Sequence, residues 1–378
     1  MTANLLARAC RALLPLVLCA AAAAGAQPIL VGQVGPFTVL PSPDAKEVNQ
    51  GARAALARVN RAGGVQGRRI EIFELDDRFS GEGFAEQLAA AAERRPVALI
   101  TPIGSAALSK LVNDKLLDRY PLVIVNAIPG AEPFRNPGHP RLFHIRASDR
   151  QQIEKIVQHA RTLGMTRLGV LHQDLPIGLA GLQVVQSLGQ QAPALVVPAA
   201  GSKHEPEPLA AAAVRLVAER PQATVVIGTP RFMADAVAAL RKAGARQFVF
   251  ALSYLPPGLV VKVAGDEGAR GVAIAQAFPN PNGVSLRLQR EFREAMREAY
   301  PDVQAYSSFQ LEGYVSARVL VEGLRRVSGE PNAENLAAAL RGLGPLDLGG
   351  FLVSFGRSNE GSRFVDIGVV GEGGKLMY

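Results

Sequence analysis

Short apolar runs alternate with stretches of helical period along most of this chain. RRIEIFEL, VALIT, PLVIV, RLGVLH, ALVVPA, ATVVIG, QFVFAL and GVAIAQ read as strands. Several are apolar almost throughout rather than alternating, the mark of strands buried on both faces in parallel sheets covered by helices. The first intervening helix has Ser42 to cap it, Pro43 in its first turn, and Val48, Ala52, Ala55, Leu56 and Val59 on one face before Gly63-Gly64 ends it. Ile153, Ile156, Val157, Ala160 and Leu163 form a second stripe, and Leu288, Phe292 and Met296 a third. Such stripes are core faces. The rhythm changes after two helical segments, Val284 to Tyr300 and Tyr306 to Val327. FLVSFGRSNEGSRFVDIGVV then reads as a terminal hairpin, two strand-like runs around a Gly, Ser and Asn-rich turn.

The beginning of the chain sets the compartment and the usable length. MTANLLARACRALLPLVLCAAAAAGA carries Arg8 and Arg11, an apolar run, and Ala24-Gly25-Ala26, the small-x-small pattern of a signal-peptidase site. Residues 1–26 are therefore expected to be a signal peptide cleaved after Ala26, leaving a soluble secreted protein that starts at Gln27. Both cysteines, Cys10 and Cys19, lie in that segment, so the mature chain would have no disulfide and no cysteine metal site. Single cores rarely grow past about 250 to 300 residues, so the remainder suits two lobes. RNPGHPRLFHIRASD, Arg135 to Asp149, rich in Pro and Gly between regular regions, is the first place for the chain to cross between them. Removal of Arg8 and Arg11 leaves 39 of the 41 basic residues against 33 acidic ones, a net charge of +6. That excess is spread along the chain with no basic run and no interleaved aromatics, which argues against nucleic acid as a partner.

Few motifs carry chemistry. ILVGQVGPF, Ile29 to Phe37, ends a strand in Gly32, Gly35 and Pro36, the way many phosphate-binding loops begin. It supplies only Gly-x-x-Gly, Pro36 lacks an N–H, and the next acidic pair, Asp76 and Asp77, comes too late to hold a ribose. Gly371-Glu-Gly-Gly-Lys375 is a turn and not a Walker sequence. His139, His144, His159, His172 and His204 form no His-x-x-x-His pair, and no Gly-x-Ser-x-Gly elbow occurs. No metal, cofactor or catalytic residue is expected. The strand ends remain, since ligands of open α/β sheets sit beyond the carboxyl ends of the strands. Ser105, after Gly104 and at the head of AALSKLVNDKLL, offers a carboxylate both hydroxyl and N–H, or else it merely caps its helix.

QGARAALARVNRAGGVQGRRIEIFELDD, Gln50 to Asp77, resembles the first helix and second strand of the type I periplasmic binding proteins, in their leucine/isoleucine/valine-binding branch. Gly35-Pro36, Gly104-Ser105, FHIRASD, LGMTRLGVLHQD and VAGDEGARGV follow in the family's order. The resemblance implies an α/β fold of two doubly wound parallel-sheet lobes joined by a three-segment hinge. Residues 27–146 and 278–353 would form lobe 1, and 147–277 and 354–378 lobe 2. It implies a periplasmic, monomeric solute receptor serving a permease pair with cytoplasmic ATPases, and a ligand cleft that closes on its solute. Phe37, Gly104, Ser105, Ala127, Ile128, Ile177, Thr229, Arg231 and Ser253 are the positions carried to that cleft, Ser105 as the carboxylate-binding serine. The pattern's ammonium-holding threonine is absent from Ala127-Ile128-Pro129, its acidic partner falls at Ser253, and its lobe 2 aromatics fall at Ile177 and Thr229. A small carboxylate-bearing molecule other than a standard α-amino acid is the expected ligand. A sensory module for a membrane receptor is the alternative, and a periplasmic enzyme a third.

Overall fold

A computed structural model describes residues 27–38, 44–189, 193–200, 203–356 and 358–378. The leading 26 residues, Ser42 and Pro43 lie outside the described residues. The strands are β1 (Ile29–Gly35), β2 (Ile70–Asp76), β3 (Ala98–Ile100), β4 (Val123–Val125), β5 (Leu142–Phe143), β6 (Leu168–Gln173), β7 (Ala194–Val197), β8 (Ala199–Ala200), β9 (Lys203–His204), β10 (Ala223–Ile227), β11 (Phe248–Ala251), β12 (Val272–Gln276), β13 (Leu346–Asp347), β14 (Leu352–Val353), β15 (Asp366–Val370) and β16 (Leu376–Met377). Between them run α1 (Asp44–Arg61), α2 (Gly81–Glu93), α3 (Ser105–Asn113), α4 (Leu116–Arg119), α5 (Asp149–Thr162), α6 (Pro176–Ser187), α7 (Pro206–Ala218), α8 (Pro230–Lys242), α9 (Pro257–Ala269), α10 (Arg287–Ala299), α11 (Ser308–Arg326) and α12 (Ala333–Arg341).

Two sheets result. The first, in the order β2-β1-β3-β4-β5, is parallel throughout. Alternate residues of its strands face opposite layers: Val31, Ala98, Ile100 and Val123 meet α1 and α10 to α12, while Val34, Leu99 and Ile124 meet α2 to α4. The second, β16-β15-β12-β11-β10-β6-β7, is parallel from β7 to β12 and closes with β15 antiparallel to both β12 and β16. Each of the eight apolar runs from RRIEIFEL to GVAIAQ supplies a strand of these two sheets. This is the α/β, two-lobed architecture expected.

Local sequence accounts for the helix ends. Ser148 with Gln151, Ser307 with Gln310, and Asn332 with Asn335 make reciprocal capping boxes that start α5, α11 and α12. The α1 stripe is buried from Val48 to Val59, whereas Leu163 is 49 % exposed because α5 has already ended at Thr162. The closest helix contact joins α1 to α11. A Cβ on Gly51 would stand 1.7 Å from the Gln310 carbonyl oxygen, and one on Gly313 1.9 Å from that of Val48.

The terminal hairpin does not form. β14 pairs back with β13, and β15 pairs with β12 and β16, so the two apolar runs belong to different layers. The residues between them are held by the crossing near 144: His144 N–H donates to the Asn359 carbonyl (2.9 Å) and Gly361 N–H to the His144 carbonyl (2.6 Å). The chain leaves the first core after Ala147, returns at Ala277 and Phe278, and departs again beyond Phe355. Three strands of backbone therefore link the lobes.

Candidate functional site

A cavity of 1210 Å³ lies between the lobes, at the carboxyl ends of the strands. Lobe 1 contributes the turn after β2 (Phe79, Ser80), the β3–α3 turn (Ile103, Gly104, Ser105) and the residues after β4 (Ile128, Gly130). Lobe 2 faces it with Leu175 just before α6 and Ile177 in its first turn, with Lys203 and His204 of β9, with Thr229 and Arg231 at α8, and with Tyr254.

Two helix starts in this wall differ in what they leave free. The Thr229 hydroxyl accepts the Phe232 N–H at 3.4 Å, so it is engaged as a cap. In α3 the cap is Gly104, whose φ of 103° suits glycine and whose missing side chain makes no capping bond. Ser105 is the first helical residue rather than the cap, and with Ala106 and Ala107 it brings the first turn of α3, the positive end of the helix dipole, to the cavity wall.

The floor is tied to the hinge. Arg146, buried, donates Nε–H to Glu312 Oε1 at 2.9 Å and pairs through its second nitrogen with Oε2; its remaining nitrogen donates to the Ser253 hydroxyl. Asn126, at φ 63°, accepts the Ile145 and Arg146 N–H groups at 3.0 Å and donates to Glu312 Oε1 at 2.9 Å and Ser316 at 3.0 Å. Arg135 donates to the Arg146 carbonyl and to Glu360, each at 3.0 Å, linking the first crossing to the third. The Arg146 guanidinium lies 5.0 Å from the Tyr254 ring centre. Burial pushes the Arg146 proton affinity down, Glu312 pushes it up, and the net is a rise.

Tyr254 joins the lobes across the floor. Its hydroxyl donates to Asp149 Oδ1 and accepts the Gly130 N–H from lobe 1 at 2.9 Å. Burial pushes Asp149 above the usual carboxylate range, with the Tyr254 hydroxyl opposing, and pushes Tyr254 well above its ordinary value, with the Asp149 charge adding to it.

Of the positions carried over by resemblance, Gly104, Ser105, Ile128, Ile177, Thr229 and Arg231 line this cavity. Phe37, Ala127 and Ser253 do not: Phe37 packs partly buried at the edge of the second core, Ala127 lies in the core beneath α3, and Ser253 is held by Arg146. Phe79, Lys203, His204 and Tyr254 line it without having been singled out as site positions. Tyr254 follows a strand end that was visible in sequence, whereas β9 is two residues long and carries no such signal.

Asp77, beside the cavity-lining Arg78, is buried; its Oδ1 accepts the Phe79 N–H at 2.8 Å and its Oδ2 has no partner among the described residues. Burial pushes its carboxyl up to about 6, the Phe79 N–H opposes the rise and the Asp76 charge adds to it. The native state thus holds this proton to higher pH than an unfolded chain, where the value is about 3.9. Its contribution to stability is most favourable below the unfolded value and declines as pH rises through the folded one. Asp77→Asn is expected to remove that decline: urea midpoints of the variant relative to wild type should rise between about pH 4 and about pH 7. A difference that stays constant over this window would contradict the assignment.

Among the described residues no His, Cys, Asp and Glu cluster is arranged to hold a metal, and no helix is long and apolar enough to cross a membrane. A family model described as periplasmic binding protein matches residues 28–374. The chain belongs to the type I periplasmic binding proteins. A crystal structure of an extracellular ligand-binding receptor from Verminephrobacter eiseniae is 50% identical, with a TM-score of 0.87 over 93% of this chain and 100% of that one. A substrate-binding periplasmic protein from Ralstonia solanacearum is 29% identical, with a TM-score of 0.81 over 92% of this chain and 99% of that one. An ABC transporter substrate-binding protein from Desulfitobacterium hafniense, in complex with Leu, has a TM-score of 0.76 over 93% of this chain and 100% of that one; at 20% identity it shows the fold alone. No curated protein matches. The type I periplasmic binding protein family is a solute-binding, periplasmic one, and the inter-lobe cavity is where this member has room for a solute.

Proposed function

We propose that this periplasmic binding protein is the soluble receptor of an ABC importer, exported with cleavage after Ala26, working as a monomer and without catalysis. Its ligand is a small organic molecule bearing a carboxylate, held between the lobes. The observation that carries the reading is the open start of α3 at the cavity wall: Gly104 supplies no capping side chain, and among the described residues no side chain caps the first turn that Ser105 begins. A carboxylate placed there gains hydrogen bonds and the favourable end of the helix dipole.

The ligand is to be recovered by native mass spectrometry of the protein as purified, which should release an organic anion. Ser105→Ala should then weaken its binding by about 1 to 3 kcal/mol, the effect of removing a hydrogen bond to a charged group. Thermal stability should change little, since Ser105 is not the cap. An affinity that is unaltered while the melting temperature falls would remove the main support for the carboxylate.

A further inference from the structure

Six ionisable side chains line the cavity: Arg78, Asp149, Lys203, His204, Arg231 and Asp235. Both acidic ones are already engaged by protein donors. Asp149 accepts the Tyr254 hydroxyl and shares its surroundings with the buried Arg146 charge. Asp235 Oδ2 accepts Arg231 Nε–H at 2.7 Å and stands 3.2 Å from His204 Nε2. Arg78 and Lys203 pair with no carboxylate among the described residues, so the unmatched charge in the cavity is positive.

An α-ammonium entering here would shed its water without finding a free carboxylate. Leaving a cation desolvated and unpaired is strongly unfavourable, and displacing Tyr254 from Asp149 would also disturb the contact to the Gly130 N–H. The remaining lining supplies the opposite preference. Phe79, Ile103 and Ile128 from one lobe face Leu175 and Ile177 from the other, and 1210 Å³ exceeds the roughly 300 to 1,000 Å³ of ordinary small-molecule sites. Resting on the carboxylate reading above, we infer that the ligand is a monocarboxylate with an extended apolar acyl or aryl body and no cationic group. The protein discriminates against α-amino acids because both cavity carboxylates are occupied from within.

Titration calorimetry on the wild-type protein, freed of retained small molecules, tests this with matched sets. Isocaproate is compared with leucine, hydrocinnamate with phenylalanine, and octanoate with its α-amino analogue, each set including the primary amide of the acid. The expected result is at least one acid that binds about tenfold or more tighter than both its α-amino counterpart and its amide. An α-amino acid that equals or surpasses its parent acid overturns the inference and leaves the carboxylate reading in place. Amides that match their acids, or a panel in which no carboxylate binds, overturn the carboxylate reading and the inference together.

Discussion

Glu312→Ala should lower the unfolding free energy by about 3 to 5 kcal/mol, the usual cost of breaking a buried ion pair from one side. Glu312 is fully buried in α11, and it is the carboxylate that takes both Arg146 and the Asn126 amide. Its removal strands the Arg146 guanidinium in a site closed to water, where Ser253 and the Tyr254 ring cannot neutralise it. The partner experiment separates the pair from its penalty. Replacing both residues with apolar ones of similar volume, Arg146→Met with Glu312→Leu, should restore most of the lost stability, since desolvating two charges offsets much of their attraction. What the double variant should not restore is a fixed hinge, because the Arg146 side chain also donates to the Ser253 hydroxyl and Glu312 also accepts the Asn126 amide. Urea unfolding monitored by circular dichroism reads the stabilities; a single-variant loss under about 1 kcal/mol would show that the pair is accessible to water.

Gly51→Ala and Gly313→Ala should each destabilise the protein by about 1 to 3 kcal/mol or more, against the sign of helix propensity. A methyl at either position would overlap a backbone carbonyl of the facing helix, and backbone cannot swing aside as a side chain can. The gain of up to about 1 kcal/mol from replacing a helical glycine is too small to offset that overlap. Gly258 of α9 is the control, because a Cβ there meets nothing within 4 Å. Gly258→Ala should therefore keep the propensity gain while the other two lose stability. Should Gly51→Ala behave like Gly258→Ala, the α1–α11 contact is looser than described.

The strands were legible because burial on both faces leaves an uninterrupted apolar run, a pattern that few other environments produce. Two-residue strands such as β5 and β9 leave no such trace. The misread tail is instructive in physical terms. Two apolar runs flanking a Gly, Ser and Asn-rich segment look the same whether they pair with each other or with partners far away, and only the edge of β12 decides for β15. The first wall of the site was visible at Gly104-Ser105, since glycine followed by a small hydroxyl at a strand end has few uses. Lys203 and His204 were not, because β9 is too short to leave a pattern and their place depends on how one lobe sits against the other. Glu312 was hidden for another reason. A lone acid inside the pattern FQLEGYV reads as the exposed face of α11, and its partner lies 166 residues away.

The three crossings bear on how such a chain is made. The first sheet is formed by Phe143, yet the α10, α11 and α12 layer that covers one of its faces arrives only with residues 287 to 341, and the edge strand of the second sheet only after Asp366. The Gln50–Gln310 contact spans 260 positions. A nascent chain emerging from its N-terminal end can pack α2 to α4 on one face of the first sheet early, but it can complete neither lobe until synthesis is almost finished, and such long-range closures slow folding. Slow, late folding keeps the polypeptide threadable, which suits a protein whose place of work lies across a membrane from the ribosome.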